Sequence, residues 1–138
     1  MGNKYKYEAL KYLDKCIIIR KELKAKKLLF DPIGLLGKPM LLKGLLLIGE
    51  FNNKQGAVSV FEEALNILGK ERILSPTSVE YIKELKFQRL SIIFNDFDGH
   101  YKYNSKDLED YERLCEERLP ANYLWGGFFF SLDMLFER

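Results

Sequence analysis

Oxygen-bearing side chains of the kind that bind Ca²⁺ are concentrated in the segment Asn95-Asp96-Phe97-Asp98-Gly99. An EF-hand loop that begins at Asp96 would need glycine at its sixth position and glutamate at its twelfth. The chain instead has Gly99 at the fourth position and Asp107 at the twelfth. The spacing therefore excludes an EF-hand. It favours a plain hairpin loop, because Asp, Asn and Gly are the residues that tight turns require.

His100 is the only histidine, so a metal site with two histidine ligands cannot be formed. As a general base, His100 would need an acid or a nucleophile nearby, and the sequence places only Asp98 close to it. No serine lies in a Gly-x-Ser-x-Gly context. An enzyme would therefore need a site that the fold alone assembles, for example from His100, Asp98 and Glu112, and we favour a protein that is not an enzyme.

Cofactor motifs are missing from the glycine-rich segment 34–49 and from the cysteines. Lys38 follows Gly37, but a phosphate-binding loop would also need glycine at position 32 and serine or threonine at position 39, and both positions hold proline. Cys16 and Cys115 lie far apart and form no Cys-x-x-Cys pattern. We therefore expect no disulfide and no bound metal or nucleotide.

The two ends of the chain carry opposite charge. Residues 1–30 contain nine Lys or Arg and three acidic residues, whereas residues 95–138 contain five Lys or Arg and ten Asp or Glu. Either these ends pair with each other, or each of them binds an external partner of opposite charge. For binding to an anionic partner, the candidate residues share one polar stripe of the first helix: Lys4, Lys11, Lys15 and Lys26. For binding to a basic protein partner, the candidate residues lie on a late helix and just after it: Glu109, Asp110, Glu112, Glu116, Glu117 and Trp125.

Helical periodicity dominates the first half of the sequence. A stretch from Lys4 to about Lys27 contains neither proline nor glycine, and its polar and apolar residues recur with a helical period, so we expect a helix that Asp31-Pro32 stops. The side expected to face the core lies opposite the polar stripe and consists of Tyr5, Ala9, Leu10, Leu13, Cys16, Ile17 and Leu23. The leucine-rich segment 39–48 fits a short buried helix, with a buried strand as the alternative. After a loop at 51–56, Val58, Phe61, Ala64 and Leu65 predict a helix that ends at Gly69.

The second half of the sequence adds a β signal. Ser75-Pro76 predicts the start of a short helix through Leu85. Apolar and polar residues then alternate on both sides of the turn 95–99, which predicts a β-hairpin near residues 86–104. A helix follows from about 106 to 118 and is expected to end at Pro120. The aromatic segment 123–136 fits either a buried helix or a strand.

The aromatic end also bears on assembly, because three successive phenylalanines cannot all face one core. Besides core packing, we consider a partner surface or a homodimer seam. The polar N-terminus lacks a secretory signal, and no apolar run is long enough to span a bilayer. These features predict a cytoplasmic protein without a transmembrane segment.

Together, the sequence predicts a single compact domain over residues 1–138 of the α+β class, mainly helical, with about five helices and one β-hairpin. No part of it resembles a known family. Because no catalytic or cofactor motif is present, we expect a small protein-interaction module that masks or neutralises a protein partner, as antitoxins, immunity proteins and anti-defence proteins do. The alternative is a nucleic-acid-binding regulator that uses the basic first helix, although the chain lacks an established nucleic-acid-binding motif.

Overall fold

The computed structural model describes the backbone of residues 2–26, 36–71 and 76–125, and the side chains of these ranges from residue 4 to residue 117. In these ranges all regular structure is helical, and there is no strand. The helices, in chain order, are α1 (Gly2–Ala25), α2 (Gly37–Gly49), α3 (Lys54–Gly69), α4 (Pro76–Phe94) and α5 (Ser105–Trp125). The described fold is therefore all-helical, and the predicted α+β class is wrong.

The predicted hairpin near residues 86–104 does not exist. Its first strand is the second half of α4, and its second strand is an irregular connection that leads into α5. The alternation that suggested a strand is ambiguous, because Phe87, Leu90 and Phe94 also recur at steps of three and four. No glycine or proline lies between Pro76 and Asn95, so the helix continues to the turn at Asn95.

The core of the first half is formed where α2 packs on α3. Gly44 of α2 lies so close to the ring of Phe61 that an added Cβ atom would be 2.1 Å from Phe61 Cε1. This glycine allows the two helices to approach each other closely. The leucine-rich segment is thus a buried helix and not the alternative strand. The fully buried large side chains of this half are Leu36, Met40, Leu41, Phe61, Leu68 and Leu85.

Side-chain caps fix the starts of two helices. Asn53 Oδ1 accepts a hydrogen bond from the backbone N–H of Gly56 at 2.9 Å, which caps α3. At the start of α5, Asn104 Oδ1 accepts from the N–H of Asp107 at 2.9 Å, and Asp107 Oδ2 accepts from the N–H of Asn104 at 3.1 Å. This reciprocal pair is a capping box. The prediction that Pro120 ends α5 is wrong, because the helix continues to Trp125.

Two compact units divide the chain, one comprising Met1–Arg89 and the other Leu90–Arg138. The first contains α1, α2, α3 and most of α4. The second contains the end of α4, the turn after it and α5, with Leu90, Ile93 and Leu114 buried. The expectation of one domain over residues 1–138 stays a prediction. Within the described ranges, no helix is both long enough and apolar enough to cross a bilayer.

Several predicted features fall outside the described ranges. These are the helix end at Asp31-Pro32, the choice between helix and strand after Trp125, and the aromatic seam that would join two copies. The side chain of Trp125 itself also lies outside them.

Candidate functional site

One side of α1 is attached to the rest of the first unit. Ile17 is buried on this side. Charged residues of the same side form ion pairs with α2, with α3 and with the residues just after α3, namely Asp14–Lys43 at 2.6 Å, Lys21–Glu63 and Lys24–Glu71. Lys6 Nζ donates a hydrogen bond to the carbonyl oxygen of Glu50 at 3.1 Å, at the carboxyl end of α2. These contacts fix which side of the 24-residue helix faces its own protein.

A second apolar stripe runs along α1, about 120° around the helix from Ile17. Its members recur at alternating steps of four and three, which is the spacing of a coiled-coil seam. We call this stripe the outer seam; it consists of Tyr5, Ala9, Tyr12, Cys16, Ile19 and Leu23.

The outer seam is open to solvent along most of its length. Tyr5 is 66% exposed, Tyr12 is 68% exposed and Ile19 is 46% exposed. Ala9 is exposed as well, while Cys16 and Leu23 are half-buried. The sequence pattern grouped Tyr5 and Ala9 with the core-facing residues, but both are exposed. The apolar residues of α1 therefore form two stripes, and the described part of the chain covers only one of them.

The four lysines that were predicted to contact an anionic partner lie beside the outer seam, on the edge farther from the body of the unit. Lys4, Lys11, Lys15 and Lys26 are all exposed, and none of them forms an ion pair with another residue in the described ranges. Glu8 and Glu22 lie on the same edge. The accessible edge of the seam therefore carries a net positive charge.

Within the outer seam, the Tyr12 hydroxyl is hydrogen-bonded to the thiol of Cys16, one helical turn further on. This hydrogen bond, together with the electrostatic effect of Cys16, raises the pKa of Tyr12 above its ordinary value of 10.0. Tyr12 is therefore neutral at physiological pH.

Comparison with known proteins adds no assignment. No protein-family profile matches the chain, and no curated protein or solved structure is significantly similar to it. The function must therefore be argued from the surfaces of the chain itself.

The structure divides the predicted acidic face of α5 into two groups. Asp110 and Glu117 form ion pairs with Arg113, at 3.2 Å and 3.8 Å. Glu109, Glu112 and Glu116 are exposed and form no ion pair with any described residue. Of the five acidic residues of the predicted face, these three are the ones without an ion pair to a described residue. Arg113 was missed at the level of sequence, although its position at i+3 from Asp110 and i−4 from Glu117 was a usable signal.

His100 is exposed and is paired with Asp96, although the sequence placed only Asp98 close to it. His100 Nδ1 lies 3.1 Å from Asp96 Oδ1, and the backbone N–H of His100 donates to the other oxygen of the same carboxylate at 2.5 Å. The hydrogen bond and the negative charge of Asp96 raise the pKa of His100 above 6.5. Hydrolytic chemistry would also need a nucleophile within hydrogen-bond reach of the imidazole, and the described contacts of His100 include none.

The ligand atoms of Asp96, Asp98 and His100 lie within 4.8 Å of one another, so these three residues are the group in the described ranges that could hold a metal ion. Asp96 uses both carboxylate oxygens on His100 in this arrangement. A metal ion bound through Nδ1 of His100 would replace the contact of this nitrogen with Oδ1 of Asp96. The contacts of Asp96 with His100 therefore hold this turn together without a metal ion.

Proposed function

We propose that the chain is a small protein-interaction module that binds an amphipathic helix of a partner protein along the outer seam of α1. The observation that carries this proposal is the two-sided character of α1. One side is tied to the unit by Ile17 and a row of ion pairs, and the other displays a complete apolar stripe at coiled-coil spacing.

Exposed apolar residues that occur singly are ordinary, but contiguous apolar stripes mark interaction surfaces. Tyr5, Tyr12 and Ile19 each leave roughly half or more of their surface in water. Full burial of an aliphatic or aromatic side chain contributes about 1.5–3 kcal/mol. Three side chains of this size, spaced at seven residues on one helix, provide a continuous apolar surface for contact with a second helix.

The charge beside the outer seam specifies the chemistry of the partner. In paired helices, charged residues that flank the apolar seam form salt bridges with the other helix, and these salt bridges determine which partner binds. Here the accessible edge carries Lys4, Lys11, Lys15 and Lys26 against Glu8 and Glu22. The partner is accordingly a helix whose apolar stripe is bordered by acidic residues.

Such binding fits a protein that masks or neutralises its target, of the antitoxin, immunity or anti-defence type. A helix that is engaged along its apolar stripe is no longer available for its own packing or function. This class of function suits a small module that needs no catalytic group, and we retain it as a proposal.

Nucleic-acid binding is the second candidate, because Tyr5 and Tyr12 are exposed among lysines. Single-stranded nucleic acid is bound by aromatic rings that stack on bases beside basic residues that track phosphates. Glu8 and Glu22 lie on the same edge and would repel phosphates, so we rank this candidate second.

Two designed helical peptides and one oligonucleotide separate these candidates. Both peptides carry leucine and isoleucine along one stripe; the flanking positions are glutamate in one peptide and lysine in the other. We expect fluorescence anisotropy to show at least about tenfold tighter binding of the glutamate peptide, with a difference that shrinks as salt is added. Equal affinity for both peptides would contradict the proposal. Binding of a labelled single-stranded oligonucleotide without binding of the glutamate peptide would replace it with the nucleic-acid function.

A further inference from the structure

Few apolar side chains attach α1 to the rest of the first unit. Among the described side chains of this 24-residue helix, Ile17 is the only one that is buried. By contrast, α2 buries seven of its 13 residues and α3 buries six of its 16. Burial of apolar surface is the main force that holds helices together. Apolar packing therefore holds α1 less firmly than it holds α2 and α3 to each other.

Ion pairs compensate for this scarcity of apolar contacts. Three of them join α1 to α2, to α3 and to the residues just after α3, in this order: Asp14–Lys43, Lys21–Glu63 and Lys24–Glu71. The six side chains are partly open to solvent, with exposures between 24% and 49%. Ion pairs as exposed as these are individually weak and are screened by dissolved salt. Because all three attach the same side of one helix, salt weakens them together.

The start of α1 is attached by another charged contact. Lys6 Nζ donates to the carbonyl oxygen of Glu50 and lies 4.9 Å from the centroid of the Phe51 ring. The ring of Tyr7 meets Phe51 edge-on, with centroids 5.2 Å apart. A cation at the carboxyl end of a helix, here α2, is favoured by the helix dipole, and salt screens this attraction as well.

We infer that α1 is a salt-sensitive strap, which opens away from α2 and α3 as one segment while these two helices stay packed on each other. Proteins open locally in cooperative segments, and segments with few buried apolar contacts open at the lowest free energy. The contact of Gly44 with Phe61 joins α2 directly to α3, so it persists when α1 opens.

Opening of the strap regulates the outer seam. Most of the stability of a protein helix comes from its packing, and α1 also contains the β-branched run Ile17-Ile18-Ile19, which disfavours an isolated helix. A released α1 therefore loses helix, and with it the regular spacing of the seam residues. Low ionic strength keeps the seam assembled, and high ionic strength disperses it. This last step rests on the function proposed above, whereas the opening itself does not.

Backbone amide hydrogen exchange of the whole chain, without a partner, tests the opening. Exposed charges interact over about 30 Å at about 0.01 M NaCl and over about 3 Å at about 1 M NaCl. After correction for intrinsic exchange rates, we expect amides in the middle of α1 to exchange at least about fivefold faster at the higher salt concentration, and those of α3 to change by less than about twofold. Unchanged exchange in α1, or equal acceleration in α1 and α3, would overturn the inference.

Charge variants then assign the effect to a particular ion pair. Lys24→Glu places like charges at the contact with Glu71, so α1 should exchange faster at low salt, and adding Glu71→Lys should restore slow exchange. Lys15→Glu is the matched control, because it makes the same charge change at an exposed lysine of α1 that forms no ion pair with a described residue. It should change exchange in α1 by less than about twofold.

Two outcomes of this variant series contradict the strap. One is a double variant that exchanges as fast as Lys24→Glu alone, and the other is an equal effect of Lys15→Glu. No peptide takes part in these measurements, so their failure leaves the proposed function standing. Failure of a helical peptide to bind the outer seam would likewise leave the strap standing.

Discussion

Single residues decide how closely the elements of this protein can pack and which groups titrate together. Gly44 is the clearest steric case, because the buried ring of Phe61 occupies the space that a Cβ atom would need. The pair formed by Asp96 and His100 is the clearest electrostatic case, because both partners lie in one short turn. Each of these sites leads to a prediction that can be tested without knowledge of the partner.

Gly44→Ala should destabilise the protein by about 1–3 kcal/mol, because either the Phe61 ring or the backbone of α2 must move. Chemical denaturation followed by circular dichroism measures this free energy of unfolding. Gly69→Ala is the matched control, because nothing lies within 4 Å of the position of its added Cβ atom. The control should be neutral or slightly stabilising, since alanine favours helix. Equal stability of Gly44→Ala and the wild type would show that α2 and α3 are not in close contact.

The pair Asp96–His100 should give a histidine pKa above 6.5 in an NMR titration, and Asp96→Asn should return it toward 6.5. Burial alone would raise the pKa of Asp96, but the hydrogen bonds and charge of His100 outweigh it and lower that pKa below 3.8. The histidine's contribution to stability is therefore present below pH 6.5 and is lost as the pH rises through its folded pKa. The aspartate's contribution is present above pH 3.8 and is lost as the pH falls through its folded pKa. A His100 pKa at or below 6.5 in the wild type would contradict the pairing.

At the level of whole helices, α5 carries two kinds of surface carboxylate, which should affect its stability in opposite directions. Some form no ion pair with a described residue, and others are paired with Arg113. Glu112 and Glu116 are one helical turn apart and form no ion pair with a described residue, so they repel each other. Glu117, by contrast, lies 3.8 Å from Arg113. The predicted role of the acidic face in docking a basic partner is untested, and the effect of these charges on stability provides a first test.

Glu112→Gln together with Glu116→Gln should leave the melting temperature unchanged or slightly higher, because a repulsion worth a few tenths of a kcal/mol is removed. Glu117→Gln on the same helix serves as the control and should lower the melting temperature slightly, since it weakens an ion pair. A clear loss of stability in the double variant would mean that these carboxylates are attracted to basic groups of the same chain, and this result would count against a docking role.

Sequence patterns predicted most helices but not their extent. The stretch from Lys4 to Lys27, which contains neither glycine nor proline, was sufficient to predict α1, and Pro76 correctly marked the start of α4. Residues 87–94 were misassigned because a dense set of apolar residues satisfies the strand period and the helix period at once. The local sequence pattern could not decide between helix and strand here, since that choice depends on packing between elements far apart in sequence.

For the candidate site, the sequence indicated the right residue types but not which of them are accessible. The stripe of Lys4, Lys11, Lys15 and Lys26 was predicted to be exposed, and it is. The sequence pattern did not separate the outer seam from the core-facing side. A helix with apolar residues on two adjacent faces has the same periodicity as a helix with one broad apolar face. Only the contacts of Asp14, Lys21 and Lys24 show which face the protein covers for itself.

On the scale of the whole molecule, the two units present different surfaces. The first displays an apolar seam beside lysines, and the second displays the exposed carboxylates of α5. The function that we propose depends only on the first surface, so its most direct test is a change on α1.

The measurement is the affinity of the glutamate-flanked peptide for two variants, Ile19→Asp and Ile18→Asp. Both isoleucines are exposed on α1, at 46% and 57%, but only Ile19 lies on the outer seam. Neither isoleucine belongs to the buried core, so circular dichroism and melting curves should show both variants folded. We predict at least about a tenfold loss of affinity for Ile19→Asp and a change of less than about twofold for Ile18→Asp. Wild-type affinity in Ile19→Asp, or equal losses in both variants, would contradict the outer seam as the binding surface.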